Sequence, residues 1–134
     1  MLGSARIMAF VPTVDMQVAR PFYESVLGLR FLVQDPFAAE FDAGGIMVRV
    51  TEVPDFKPQP FTVLGWQVDD IEKTVVDLKE KGVVFPQYGF TGQDPLGIWT
   101  APSGARVAWF KDPDGNVLSV TQFPAGSPTS TNNA

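Results

Sequence analysis

The chain has 134 residues, 45% of them hydrophobic, which suffices for the core of one domain. It carries 10 Lys and Arg against 15 Asp and Glu, and this net charge of -5 argues against nucleic acid or anionic membranes as partners. Cysteine and histidine are both absent, so disulfides, thiol nucleophiles, histidine bases and imidazole-bound metals are excluded. Without a signal peptide or a membrane span in the sequence, we expect a cytoplasmic protein.

The first half of the sequence predicts a strand, a helix and three further strands. Four short apolar stretches predict the strands, and they are residues 7–14, 29–34, 37–42 and 46–53. Asp15 is placed to cap the helix, Gly28 to end it, and Gly44-Gly45 to join the last two strands by a tight turn. The predicted buried face of this helix consists of Val18, Phe22 and Val26, which recur every four residues.

The second half repeats the order of the first. Its predicted strands are residues 61–68, 83–85, 104–111 and 116–122, the last two joined by a turn at Gly115. Asp70 caps the intervening helix and Gly82 ends it, and its predicted buried face consists of Ile71, Val75 and Leu78. The sequence therefore predicts two βαβββ modules, at about residues 6–54 and 60–123.

Two segments stand outside this repeat. Residues 86–103 are an insertion in the second half, rich in Gly and Pro, and predict a loop able to cover a pocket. The loop contains the aromatic residues Tyr88, Phe90 and Trp99. Residues 124–134 have no core-forming pattern and predict a disordered polar tail.

Three stretches of this sequence form a recognisable set, and they are "TVDMQVARPFYESVLGLRF", "GWQVDDIEKTVVDLKEKGV" and "ARVAWFKDPDGNVLSV". Together they resemble the glyoxalase / bleomycin-resistance / extradiol-dioxygenase (vicinal oxygen chelate) superfamily. The resemblance implies one α+β domain over residues 1–123, in which the two tandem modules form a cupped, half-barrel mixed sheet with helices on the outside. It also implies a homodimer.

The resemblance locates four positions at which metal-dependent members of the superfamily carry His, Glu or Gln ligands. The residues at these positions are Met8, Arg49, Val63 and Ser119. Met and Val offer no hard donor, one hydroxyl binds a divalent ion weakly, and the Arg49 guanidinium would oppose a cation. We therefore expect no metal, no cofactor and no catalytic residue, with Ser119 standing where a metal ligand has been lost.

The same positions predict instead a binding site for a small, partly aromatic molecule. The predicted lining residues are Met8, Phe10, Arg49, Phe61, Val63, Tyr88, Phe90, Trp99 and Ser119. Arg49 either anchors a carboxylate or phosphate of the ligand or pairs with Glu40 on the adjacent predicted strand, and the sequence leaves both open.

Three functions are compatible with these observations. The first is a metal-free binding protein, which would act like the bleomycin-resistance members that sequester drugs without transforming them. The second is a lyase, isomerase or dioxygenase of the same superfamily with a non-standard or metal-free site. The third is a structural or interaction module with a closed cup.

Overall fold

The computed structural model of the chain describes residues 1–89 and 92–127, so Phe90 and most of the predicted tail lie outside the described residues. The chain divides into two compact units, each with a four-stranded mixed sheet. The first unit comprises Met1–Gln59 with Asp112–Gly115, and the second comprises Pro60–Lys111 and the chain from Asn116 onward. The predicted α+β class with tandem βαβββ modules is confirmed.

The first unit contains a short 3-10 turn at Leu2–Ser4 followed by a βαβββ module. The module consists of β1 (Met8–Thr13), α1 (Met16–Pro21), a π-helical turn (Phe22–Val26), β2 (Arg30–Gln34), β3 (Ala38–Ala43) and β4 (Ile46–Glu52). Its strand order is β1-β4-β3-β2, with β1 parallel to β4 and the other pairs antiparallel. Gly44 and Gly45 have φ of +61° and +91° and form the predicted two-residue turn, which requires positive φ at both positions.

The first helix buries a different face from the predicted one. Asp15 caps it as predicted, because its side chain accepts a hydrogen bond from the Gln17 N–H at 3.0 Å. Val18 is 51% exposed, and the buried residues of this segment are Met16, Ala19 and Tyr23. The prediction of a face containing Val18 was therefore wrong.

Two faces of this segment are apolar, and tertiary contacts select the buried one. Met16, Ala19 and Tyr23 are spaced by three and four residues, as Val18 and Phe22 are by four, so both sets fit one helical face. Tyr23 packs near Phe41 and bonds to Asp112, which places its face inward. After Pro21, which has no N–H to donate, the segment continues as a π-helix, in which the Leu27 N–H bonds to the Phe22 oxygen at 2.9 Å.

A buried hydrogen bond holds Tyr23 within the first unit. The Tyr23 hydroxyl donates to Oδ2 of Asp112 at 2.6 Å, and both residues are buried. Burial raises the pKa of the Tyr23 phenol, and the neighbouring Asp112 carboxylate raises it further. Asp112 also accepts from the Asp114 N–H at 2.9 Å, and Asp114 accepts from the Val14 N–H at 2.9 Å.

The second unit repeats the strand order of the first. Its elements are β5 (Thr62–Gln67), α2 (Ile71–Glu80), β6 (Trp99–Thr100), β7 (Arg106–Lys111) and β8 (Val117–Gln122), in the sheet order β5-β8-β7-β6. Asp70 caps α2 by accepting from the Lys73 N–H at 3.1 Å, and the predicted buried face of α2 is confirmed at Ile71 and Val75. No helix in residues 1–89 and 92–127 is long and apolar enough to cross a membrane.

The predicted strand at residues 83–85 is wrong. Val83 and Phe85 are buried while Val84 is 73% exposed, so the segment alternates like a strand but forms no ladder with another strand. The strand that pairs with β7 at this edge is Trp99–Thr100, which lies within the segment predicted as a loop. Phe85 packs instead on Phe110, with ring centroids 5.3 Å apart.

Candidate functional site

The first sheet packs one face against α1 and presents the other away from it. Phe41 and Val48 are cross-strand partners on the helix side, where the Tyr23 ring lies 6.2 Å from that of Phe41. The alternate residues of the strands form what we call the first open face, which comprises Met8, Phe10, Glu40, Met47, Arg49 and Thr51. Three predicted lining residues, Met8, Phe10 and Arg49, therefore share one surface within this unit.

An ion pair occupies the middle of the first open face. Arg49 on β4 and Glu40 on β3 are direct cross-strand partners, and Nη1 of Arg49 contacts Oε2 of Glu40. Their side chains are 23% and 19% exposed, respectively. On the other side, Arg49 is paired with Phe10 of β1, whose side chain is 61% exposed. The pairing with Glu40 that the sequence left open is present, and it neutralises the guanidinium charge at this position.

A second polar group lies two residues beyond Arg49 on the same face. Oγ1 of Thr51 is buried and has no hydrogen-bond partner within the part of the chain that the structure describes. The cross-strand partners of Thr51 are Pro12 and Ala38, and neither has a polar side chain. A buried hydroxyl in this position favours a water molecule or a polar ligand atom beside it. Sequence reasoning missed Thr51.

The second sheet is divided in the same way. Leu118 and Val120 are buried on the side of α2, together with their partners Phe110 and Ala108. The second open face comprises the alternate residues Gly65, Trp99, Val107, Trp109 and Ser119. Val63 lies at a bulge in β5 and is exposed, as is Phe61, which precedes the strand.

Ser119 lies in the central row of the second open face, between Gly65 on β5 and Trp109 on β7. It is only 7% exposed. A Cβ atom at Gly65 would lie 2.8 Å from Oγ of Ser119, closer than atoms pack, so the absence of a side chain at residue 65 leaves room for the hydroxyl. Ser119 therefore has a residue without a side chain, Gly65, on one side and the tryptophan Trp109 on the other.

Three rings form an aromatic cluster on this face, which consists of Tyr88, Trp99 and Trp109. The Tyr88 ring stands perpendicular to that of Trp109, with centroids 6.0 Å apart. The Trp99 ring is tilted by 33° against that of Trp109, with centroids 6.1 Å apart. These separations are typical of favourable aromatic pairs. Phe90, the third aromatic residue predicted in this loop, lies outside the described residues.

Trp109 is the residue of this cluster that sequence reasoning missed. The signal was present, because the turn at Gly115 places Trp109 directly opposite Ser119 once the hairpin register is counted. Assigning Trp109 to a strand does not by itself give its face, which depends on the register of the hairpin.

The four residues that the resemblance assigns to metal-ligand positions do not offer the donors of a divalent metal site. Met8 and Arg49 lie on the first open face, and the guanidinium of Arg49 is paired with the nearby carboxylate of Glu40. Val63 and Ser119 lie on the second sheet and offer one hydroxyl between them. Catalytic metal sites require anionic or imidazole donors, which these four side chains lack. Among residues 1–89 and 92–127, no group of three or more acidic side chains is arranged to hold a metal.

Comparison with protein families identifies one match. The model of the Glyoxalase/Bleomycin resistance protein/Dioxygenase superfamily matches residues 5–120. No curated protein sequence matches the chain.

Similar solved structures cover nearly the whole chain. TnmS3, an antibiotic binding protein from Streptomyces sp. CB03234, is 25% identical with a TM-score of 0.69, over 92% of this chain and 99% of that one. A lactoylglutathione lyase from Agrobacterium tumefaciens is 17% identical with a TM-score of 0.68, over 89% and 93% of the two chains. A glyoxalase/bleomycin resistance protein/dioxygenase from Alicyclobacillus acidocaldarius is 15% identical with a TM-score of 0.66, over 90% and 92%. The last two likenesses concern the fold alone.

Proposed function

Because the chain belongs to the Glyoxalase/Bleomycin resistance protein/Dioxygenase superfamily, we propose that it binds and sequesters a small, partly aromatic molecule without a metal ion. The proposal assigns the binding surface to side chains that stack and hydrogen-bond rather than to side chains that coordinate. It is a proposal about binding, and it includes no chemical step.

The observation that carries the proposal is the aromatic cluster beside Ser119. The resemblance implies a metal ligand at this position in metal-dependent members, whereas here the small hydroxyl of Ser119 lies opposite Trp109. Tyr88 is exposed, and Trp99 and Trp109 are half-buried, so ring surface remains accessible on this face. Tryptophan faces bind flat aromatic molecules through dispersion and quadrupole interactions.

The similarity to TnmS3 supports the same proposal. That protein is an antibiotic binding protein and shares the fold of this chain over almost its whole length. Its identity of 25% exceeds that of the lyase and of the third structure reported above. Antibiotic binding is therefore the function named for a similar protein that this chain covers over almost its whole length.

The first experiment measures binding by the unmodified protein. We expect phenazine, an uncharged flat tricycle, to bind with a Kd of about 1–100 μM, detected by quenching of tryptophan fluorescence and by calorimetry. Anthracene-9-carboxylate and 9-aminoacridine are ligands of the same size with opposite charges, and they report the charge preference of the site. Failure of all three to bind would contradict the proposal.

Elemental analysis of the same preparation provides the control for metal dependence. We expect binding of phenazine to be unchanged by EDTA, since none of the proposed contacts needs an ion. Stoichiometric Mn, Fe, Ni or Zn in the purified protein, with loss of binding on chelation, would favour a metal-dependent lyase, isomerase or dioxygenase instead.

The role of Arg49 as an anchor for an anionic group remains a proposal, which the observed ion pair makes testable. Arg49→Met is expected to weaken binding of anthracene-9-carboxylate about tenfold, because a charge-assisted hydrogen bond is lost. Glu40→Gln is expected to strengthen it about threefold, because the guanidinium no longer has a competing carboxylate at this position. Calorimetric titration measures both changes.

Two controls separate this role from a general effect of charge. Phenazine affinity is expected to stay constant in both variants, because phenazine has no charge. Arg20→Met makes the same charge change on α1, where Arg20 pairs with Glu24 at 3.3 Å, and is expected to leave anthracene-9-carboxylate binding unaltered. Equal losses for Arg20→Met and Arg49→Met would end the proposal for Arg49.

A further inference from the structure

One side chain joins separate parts of the segment between α2 and β6. Nε2 of Gln93 donates to the main-chain oxygens of Pro86 and Gly97, at 2.9 and 3.1 Å. Its Oε1 accepts from the main-chain N–H of Tyr88 at 2.8 Å. The half-buried amide of Gln93 therefore links three main-chain points that lie on both sides of it in the sequence.

These three points adjoin the aromatic cluster. Tyr88 is a member of the cluster, and Trp99 follows Gly97 by two residues. The main chain of Gln93 also pairs with that of Trp99 in an isolated antiparallel bridge. Since aromatic pairs depend on ring angle and separation, a shift of the main chain at these points would alter the contacts of both rings with Trp109.

The turn that follows Gln93 is fixed by its own contacts. Oδ1 of Asp94 accepts from the N–H groups of Leu96 and Ile98, both at 2.9 Å. Gly97 has a φ of +92°, and a Cβ at this residue would lie 3.1 Å from Cβ of Phe85. These contacts hold the turn in place. The hydrogen bond that the Tyr88 N–H donates to Oε1 of Gln93 therefore connects the more exposed Tyr88 to a fixed part of the unit.

We infer that Gln93 is a positioning residue for the aromatic cluster, setting the placement of Tyr88 and Trp99 against Trp109. The biological meaning of this role rests on the proposed function, whereas the geometry does not. Two carbonyl oxygens need donors here and one N–H needs an acceptor, and the primary amide of glutamine supplies all three. Glutamate would keep the acceptor but place its second carboxylate oxygen against the two carbonyl oxygens.

The experiment compares Gln93→Glu with a matched variant, Gln87→Glu. Gln87 is exposed in the same segment and makes one bond, from Nε2 to the main-chain oxygen of Asp94 at 2.8 Å, so the charge change is the same. Circular dichroism reports the exciton band of the neighbouring Trp99 and Trp109 indoles without any ligand. In Gln93→Glu we expect loss of this band and about tenfold weaker phenazine binding, with both retained in Gln87→Glu.

The outcomes distinguish this inference from the proposed function. A retained exciton band in folded Gln93→Glu overturns the inference, whatever the affinity for phenazine. Loss of the band in Gln93→Glu, combined with no binding by the unmodified protein, supports the positioning role and contradicts the proposed function.

If Gln93→Glu does not fold, a measurement on the unmodified protein still tests the inference. The side-chain amide protons of Gln93 are expected to exchange with solvent at least about tenfold more slowly than those of Gln87, because both are donated to buried or half-buried acceptors. Equal exchange rates in the two amides would overturn the inference.

Discussion

Replacing Trp109 with alanine is expected to weaken the binding of phenazine at least about thirtyfold. Trp109 contacts both other rings of the aromatic cluster, at 6.0 and 6.1 Å, so its removal deletes one stacking surface and releases two more. Truncation of a central tryptophan in a binding surface costs at least about 2 kcal/mol, which corresponds to about a thirtyfold loss of affinity. Calorimetric titration of the folded variant measures this loss.

Two further variants test whether the ring itself is responsible. Trp109→Phe retains a flat ring and is expected to lose less than about tenfold in affinity. Trp66→Phe changes a tryptophan on the helix side of the same sheet, where it pairs with Val120, and is expected to leave the affinity unchanged. Binding by folded Trp109→Ala at the level of the unmodified protein would show that the ligand lies elsewhere.

Replacing Tyr23 with phenylalanine is expected to lower the free energy of unfolding by about 1.5–3 kcal/mol at pH 7. The change removes the donor of the 2.6 Å bond to Asp112 and leaves that carboxylate buried without it. Urea unfolding followed by fluorescence measures the difference. Tyr88→Phe changes the exposed tyrosine and is the matched control. It is expected to lower the free energy of unfolding by less than Tyr23→Phe does.

The same pair predicts how stability depends on alkaline pH. The folded protein raises the pKa of Tyr23 above its ordinary value of 10.0, so above that pH the unfolded chain releases a proton that the folded chain retains. The stability contributed by this group is therefore complete below pH 10 and falls above it by about 1.4 kcal/mol per pH unit. The difference between the unmodified protein and Tyr23→Phe should narrow from pH 9 to pH 11, and a constant difference would contradict this assignment.

The parts of the fold that depend on local chemistry were predictable from the sequence. Asp15 and Asp70 cap helices in equivalent places, and Gly44-Gly45 forms a turn that needs positive φ. Each of these features depends on one or two side chains and their immediate neighbours. Their recurrence in both halves was sufficient to predict two modules of the same type.

The errors arose where the conformation depends on distant contacts. Residues 83–85 alternate like a strand, but the partner strand β7 pairs with Trp99–Thr100. The first helix has two apolar faces, and the buried one contains Tyr23, which contacts Phe41 and Asp112, rather than Val18. Local pattern cannot decide which of two extended segments pairs with a given strand.

In the candidate site, the sequence predicts those cross-strand neighbours whose register is fixed by a hairpin turn. The turn at Gly44-Gly45 places Glu40 opposite Arg49, and this pair was anticipated as one of two possibilities. The turn at Gly115 places Trp109 opposite Ser119 by the same reasoning, so the position of Trp109 follows from the hairpin register and not from the apolar pattern. The lining residues themselves, the domain limits, the homodimer and the cytoplasmic location stay predictions.

The first unit is assembled from two separated stretches of chain, Met1–Gln59 and Asp112–Gly115. The sequence repeat and the compact unit therefore consist of different stretches of polypeptide. A fragment that stops at residue 59 would carry every strand and helix of the first repeat and yet lack the carboxylate to which Tyr23 donates. Dividing this protein at the boundary between its repeats would thus yield a first half that has all its secondary structure but leaves the Tyr23 hydroxyl without its acceptor, Asp112.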